Sequence, residues 1–440
     1  MRRTNRSGAI PPPQQRVPAH SRYGGVVVDD RARRRAEELD AADPLAGFRE
    51  RFVIADPDIV YLDGNSLGRL PVATRERLRQ VIEEEWGGEG IRGWDRWMDL
   101  GRQVGDVLAE IVGAEPGEVI RSDSTSVNLY KLASAALSAR PGRPVIVTDD
   151  DNFPTDRYVL SGLSAQVRTI RTGLDDGVRV ADVAAALDGT VALVCLSHVA
   201  YRSGAIADVP AITAAAHRAG ALMLWDLCHS AGAVPVGLGA AGVDLAVGCT
   251  YKHLNAGPGA PAFLYVRRDL QPVLRQPIQG WFGQADQFAM DPEYRPVDTI
   301  ERFLVGTPPV LGGYAALEGA RLSAEAGIEA IAGKARALGA YLIELHDEWL
   351  APLGFRLASP RADARRGAHV TLHHPQAWQV CQALIAERVI PDFRTPDRLR
   401  LGLAPLYTRF ADVYVALTRL RDLVAAGRHH AFPADRARVT

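Results

Sequence analysis

Five short runs in the middle of this chain, at 144–148, 191–196, 221–225, 243–247 and 262–266, are apolar nearly from end to end. They do not alternate apolar with polar residues. A strand with one wet face alternates, whereas a strand buried on both faces does not, so these runs predict a sheet covered on both sides. Segments of helical spacing, such as 209–218, separate them. Strand and helix in turn predict an α/β sandwich with a mainly parallel sheet. In such sheets ligands bind beyond the carboxyl ends of the strands, which directs attention to the residues that follow each run.

At 440 residues the chain is too long for one compact core, and the pattern divides it. Helical spacing covers 31–52, a short strand falls at 59–62, and helices follow from Pro71 to about Trp86 and over 102–112. After Gly312 long helices at 314–326 and 328–349 give way to short strands (368–372, 399–403) mixed with helices (377–388, 410–425). We expect a tail at 1–28, a segment at 29–65 packing with the small domain, a large domain at 66–310, a smaller α+β domain at 311–428 and a second tail at 429–440. Residues 1–28 carry Arg2, Arg3, Arg6 and the Pro11-Pro12-Pro13 run without an apolar stretch, and read as disordered, not as a signal peptide.

Composition narrows the partners. A net charge of −1 gives no reason to expect nucleic acid or an anionic membrane surface. No apolar run approaches the ~18 residues of a membrane span. Cys195, Cys228, Cys249 and Cys381 are scattered with no CxxC spacing, so buried thiols in a reducing cytoplasm are expected, with neither disulfides nor zinc. His369, His373, His374, His429 and His430 read as surface positions without metal-ligand spacing.

The chain holds 51 basic residues, of which only Lys131, Lys252 and Lys334 are lysine. Arginine serves for surface charge but cannot form an imine; lysine can. Lys131 and Lys334 fall in apparent helices and need no chemical role. Lys252 follows an apolar run and precedes the glycine-rich Gly257-Pro258-Gly259 turn. Asp226 ends another run, and a carboxylate there could hold a pyridine nitrogen protonated. Ser122, Ser124, Thr125 and Ser126 crowd a turn before a helix, where free N–H groups and hydroxyls suit a phosphate. A plain N-cap accounts for one such hydroxyl but not three in sequence. Phe153 could cover a ring face or merely pack beneath its loop. His229, three residues after Asp226, could contact a ligand or serve as a structural hydrogen bonder.

These segments, with Tyr61-Leu-Asp-Gly-Asn-Ser-Leu-Gly68, Asn152-Phe-Pro-Thr-Asp156, Tyr201-Arg-Ser-Gly204, Tyr251-Lys-His-Leu-Asn255, Gln279-Gly-Trp-Phe-Gly283, Gly306-Thr-Pro-Pro309 and Arg400-Leu-Gly-Leu-Ala-Pro-Leu-Tyr407, resemble kynureninase over about 31–425. That family belongs to the class-V aminotransferase superfamily of fold-type-I pyridoxal-phosphate enzymes. The resemblance implies a homodimer with shared sites that splits kynurenine, or a ring-substituted relative, into an anthranilate and L-alanine. It implies Lys252 as the Schiff-base lysine, Asp226 facing the pyridine nitrogen and Phe153 on the ring. Thr125, Ser126, Asp156, Ser197, His229 and Tyr251 match cofactor-site positions, as do Trp281 and Thr307 from the partner subunit. Arg400 matches the arginine for the substrate's α-carboxylate, Ser66 a substrate-pocket position, and Tyr251 either a proton-transfer group or a phosphate ligand. Two segments depart from the family pattern: Ala200-Tyr-Arg-Ser-Gly204 carries arginine for lysine, and Trp94-Asp-Arg-Trp97 carries Asp95 for an amide. Other readings are an aminotransferase, or a sulfur-removing lyase, which would need a reactive cysteine on a mobile loop; Cys381 falls in a helical segment instead.

Overall fold

The computed structural model describes residues 30–435, so the expected tail at 1–28 lies outside the described residues. A seven-stranded sheet forms the centre, in the spatial order Val119–Arg121, Phe263–Val266, Leu245–Gly248, Leu222–Asp226, Val191–Ser197, Val145–Asp149 and Gln166–Ile170. Six strands run one way, and only Phe263–Val266 is antiparallel to both neighbours. The apolar runs are continuous because alternate side chains enter two different cores. Leu193, Cys195, Leu222, Leu224, Leu245 and Val247 pack on one face with the helix Thr125–Ser138. Val194, Leu196, Met223, Trp225 and Ala246 pack on the other, against helices Leu100–Val112, Val209–Arg218 and Val310–Ala326. Each buried Leu, Val or Met among them contributes about 1.5–3 kcal/mol, so a polar residue on either face would be costly.

Two strands lack an apolar run. Gln166–Ile170 is an edge strand in which only Ile170 is buried, and Val119–Arg121 is only three residues long. The first helix is also shorter than its spacing suggests. It spans Asp30–Ala41, and a 3-10 turn resumes at Ala46–Arg51. Pro44 disfavours helix at the residue before it, and Asp43 Oδ1 accepts the Leu45 N–H at 2.9 Å to close a turn.

The C-terminal part holds a four-stranded antiparallel sheet, ordered Asp392–Arg394, Arg398–Gly402, His369–His373 and Arg356–Leu357. Helices Ile328–Leu345, Ala377–Ala386 and Phe410–Ala425 cover its apolar face. The N-terminal segment is tied to this unit. The Asp40 carboxylate accepts the Phe410 and Ala411 N–H groups at 2.7 and 3.0 Å, and Val60–Tyr61 pairs with Val389–Ile390. Asp43 and Lys334 form a buried ion pair at 2.7 Å.

All four cysteines are buried and free. The histidines correct the expectation of surface positions. His369, His374 and His429 are buried, His373 is half-buried beside Asp397 at 3.1 Å, and only His430 is exposed. His374 stacks on Phe355, and His369 pairs with Gly402 with its Nε2 close to Gly204. Polarity alone placed these residues outside, but imidazole tolerates burial when neutral. Among the described residues no helix is long and apolar enough to cross a membrane, and no cluster of side chains could hold a metal ion.

Candidate active site

Parallel strands deliver their carboxyl ends to one edge of the sheet, and the site is assembled there. Ser197 and Asp226 are the last residues of adjacent paired strands, in register with each other. Leu245–Gly248 leads within four residues to Lys252, and Val145–Asp149 leads to Phe153 at the start of helix Pro154–Ser161. A cavity of about 180 Å³ results. Nine of the residues singled out in the sequence line it: Thr125, Ser126, Phe153, Asp156, Ser197, Asp226, His229, Tyr251 and Lys252. Tyr201, Thr155 and Cys228 also line it and were not singled out. For Tyr201 a signal existed, since it follows the strand ending at Ser197.

The lysine loop is held from a distance. Gly68 N–H donates to the Tyr251 carbonyl at 2.8 Å, and a Cβ on Gly68 would lie 2.4 Å from the Lys252 carbonyl oxygen. Only glycine permits that approach. The Lys252 Nζ lies 3.0 Å from His229 Nε2 and 5.9 Å from the ring centres of both Phe153 and Tyr251. Phe153 is 39% exposed and meets Tyr201 edge-on at 5.3 Å. It is therefore a cavity wall and not a packing residue beneath a loop.

Two carboxyl groups face one another on the floor. Asp226 Oδ1 accepts the Cys228 N–H at 2.7 Å, while Asp156 Oδ2 is buried with no hydrogen-bond partner among the described residues. Burial, and then the charge of Asp226, hold Asp156 well above the usual carboxylate range. Burial likewise raises the Tyr251 phenol, which stays protonated and able to donate. His229 is held well below the ordinary histidine range by burial and by Lys252, so its ring is neutral.

The hydroxyl-rich turn lies at a helix N-terminus. Ser124 caps the helix Thr125–Ser138 by accepting the Val127 N–H, leaving Thr125 and Ser126 facing the cavity. Lys131, which looked like an unremarkable helix lysine, is fully buried beneath it. Its Nζ donates to Ser122 Oγ (2.8 Å), Asp123 Oδ2 (2.6 Å) and the Phe303 carbonyl (2.7 Å).

Arg400 and Ser66 lie together but outside the lining of this cavity. Arg400 Nη1 donates to the Tyr201 carbonyl at 2.6 Å and Nη2 to Ser66 Oγ at 2.8 Å, while Asp392 pairs with the same guanidinium. Asp392 was not foreseen; its role depends on pairing between Asp392–Arg394 and Arg398–Gly402. Asp63, close by, is pushed up to about 6 by burial and then by Asp392. Trp281 and Thr307 are not in the cavity. Trp281 is 37% exposed, edge-on to Phe282 and Phe288, and Thr307 is exposed. Asp95 is exposed on the short helix Trp94–Trp97.

Pyridoxal phosphate fits these residues. A lysine amine, an aromatic wall, a buried carboxyl with one oxygen lacking a hydrogen-bond partner among the described residues and a hydroxyl-bearing helix N-terminus converge on one cavity.

Residues 331–420 match the family described as the kynureninase C-terminal domain. The chain is 43% identical to the kynureninase of Pseudomonas fluorescens over 396 residues, covering 88% of this chain and 94% of that protein. It is 45% identical to the kynureninase of Burkholderia pseudomallei strain 1106a over 419 residues, covering 93% of this chain and 100% of that protein. Among solved structures, the cysteine desulfurase of Thermococcus onnurineus NA1 superposes with a TM-score of 0.74 at 19% identity, over 89% of this chain and 98% of that one. A C-DES mutant with glycine covalently linked to its PLP cofactor superposes with a TM-score of 0.73 at 19% identity, over 83% of this chain and 97% of that one. At these identities the structures speak for the fold.

Proposed function

The chain belongs to the kynureninase family, and on that premise we propose that it hydrolyses the Cβ–Cγ bond of L-kynurenine, or of a ring-substituted kynurenine, giving an anthranilate and L-alanine. The observation that carries the reading is Lys252 in one cavity with Asp226, Phe153 and the Thr125-Ser126 turn. Pyridoxal phosphate bound there would supply an electron sink at its protonated ring.

The protein's own groups divide the rest of the work. Asp226 would hold the proton on the ring nitrogen, with Asp156 beside it raised well above the usual carboxylate range by burial and the charge of Asp226. Thr125, Ser126 and the helix N-terminus would hold the phosphate, and Ser197 and His229 line the same cavity. Lys252 would anchor the cofactor, and its Nζ, as a free amine, would take the proton from the substrate Cα. Arg400, with Ser66, grips the α-carboxylate through its planar fork. Tyr251 delivers a proton from its phenol as water adds to the γ-carbonyl and the Cβ–Cγ bond breaks. A homodimer in the cytoplasm is part of this reading. The partner subunit's Trp281 and Thr307 would complete the site, which accords with the exposed apolar group of Trp281, Phe288 and Met290.

A sulfur-removing lyase is disfavoured because Cys381 is fully buried within helix Ala377–Ala386. An aminotransferase would need a keto-acid co-substrate. The test follows alanine release from kynurenine and from 3-hydroxykynurenine without keto acid. Alanine and an anthranilate in equal amounts are expected from the wild type, with no turnover in Lys252→Ala. Full turnover in that variant would refute the reading.

A further inference from the structure

Three histidines from three places in the chain meet behind the catalytic lysine. His229 follows the strand Leu222–Asp226, His253 adjoins Lys252, and His369 begins the strand His369–His373 of the small domain. All three are buried. The His229 ring centre lies 5.5 Å from that of His369 and 6.4 Å from that of His253, both at steep interplanar angles (61° and 70°).

Their hydrogen bonds are incomplete. His229 Nε2 faces Lys252 Nζ at 3.0 Å. When that nitrogen accepts from the amine, the proton of the neutral ring sits on Nδ1, which is buried and without a partner among the described residues. A buried donor left unmet costs about 1–3 kcal/mol. Both ring nitrogens of His369 are in the same condition, as are those of His253. Of the two, the His369 ring is nearer, and the 5.5 Å separation allows a direct contact or a single bridging water. The rings are neutral: burial and the neighbouring cations Arg400 and Lys252 hold His369 well below the ordinary histidine range, and His253 is lowered to about 3. They can therefore accept a hydrogen bond.

The small domain fixes His369 firmly. It pairs with Gly402 while Thr371 pairs with Arg400, so His369 shares one sheet face with the arginine. That face presses on the 198–206 loop. Arg400 donates to the Tyr201 carbonyl, and Gly367 N–H donates to the Gly204 carbonyl. Gly204 has φ +73°, and a Cβ there would sit 2.9 Å from the His369 carbonyl oxygen and 3.2 Å from its Nε2.

We propose that His369 is a positioning residue for the reaction: reaching in from the small domain, it accepts the His229 Nδ1 proton and so orients His229 Nε2 toward the Nζ of Lys252. The docking of the small domain that places Arg400 thereby also sets the proton acceptor beside the lysine. This rests on Lys252 as the cofactor-bearing lysine.

The test uses the full-length holoenzyme as wild type, His369→Phe, which keeps a ring but no acceptor, and His369→Gln, which restores one. The readouts are the pH midpoint of the bound cofactor's visible absorbance, kcat, and KM. His369→Phe is expected to move the midpoint by at least about half a pH unit and lower kcat about tenfold, with KM within about twofold. His369→Gln is expected to recover most of both. An unchanged midpoint and kcat in His369→Phe would overturn the proposal, as would equal losses in both variants accompanied by equal losses of thermal stability. If His369→Phe does not fold, His369→Leu, which also lacks an acceptor, replaces it, and an unchanged midpoint there overturns the proposal equally. A wild-type protein with no visible cofactor absorbance would instead fail the underlying reading.

Discussion

Replacing Lys131 by methionine removes one ammonium from beneath the hydroxyl turn while keeping most of the side-chain volume. Three contacts go with it: Ser122 Oγ at 2.8 Å, Asp123 Oδ2 at 2.6 Å and the Phe303 carbonyl at 2.7 Å. Breaking a fully buried ion pair costs about 3–5 kcal/mol because a charge is left unpaired. Here the lysine side chain is 0% exposed, but Asp123 is 32% exposed and can recover some hydration. The expected loss therefore lies at the lower end, about 3 kcal/mol. Part of it is paid locally. Asp123 sits at φ +38°, and two residues later Thr125 opens the helix proposed to hold the phosphate. We expect Lys131→Met to unfold at lower denaturant concentration and to bind pyridoxal phosphate about tenfold more weakly, or about 1.4 kcal/mol. The assays are urea unfolding of the apoprotein and fluorescence titration with the cofactor. Stability within about 0.5 kcal/mol of wild type together with unchanged cofactor affinity would refute the reasoning.

Three further outcomes follow from the geometry. Arg400→Lys keeps the charge but loses the fork, so the KM for kynurenine should rise at least about tenfold with a smaller change in kcat; steady-state kinetics decide. Gly68→Ala drives a methyl into the Lys252 carbonyl and Asn255, so cofactor incorporation should fall sharply when measured by visible absorbance in the purified protein. Asp149 is raised to about 7 by burial and then by Asp150, above its unfolded value of 3.8. Its ionised form is therefore a cost that grows as pH rises from 3.8 toward 7 and is absent below that window; the shift of about three units bounds it at about 4 kcal/mol. Asp149→Asn should raise Tm at pH 8 and leave it nearly unchanged at pH 4, as scanning calorimetry would report.

Reading the sequence located most of the cavity for a plain reason. Residues that follow buried parallel strands must emerge at one edge, so Ser197, Asp226 and Lys252 could be placed together from their positions after apolar runs. The same logic failed where apolarity was weak. Gln166–Ile170 has only Ile170 buried and left no run to read. Phe263–Val266 reads like its neighbours, yet it runs the other way, because direction is fixed by the connection and not by side chains.

The chain's own order of residues thus determined the layered sheet, the family, and which groups are available for chemistry. Tertiary structure decided which of them meet. Lys131 and Lys334 looked alike as helix lysines, but each is buried against its own carboxylate, Asp123 and Asp43. His369 looked like a surface residue, but it is fully buried behind Lys252, more than a hundred residues away in sequence. Arg400 reaches Ser66 only because a C-terminal strand packs against an N-terminal turn. Periodicity and composition report on a residue's local face, whereas burial and pairing across hundreds of residues depend on how separate elements dock.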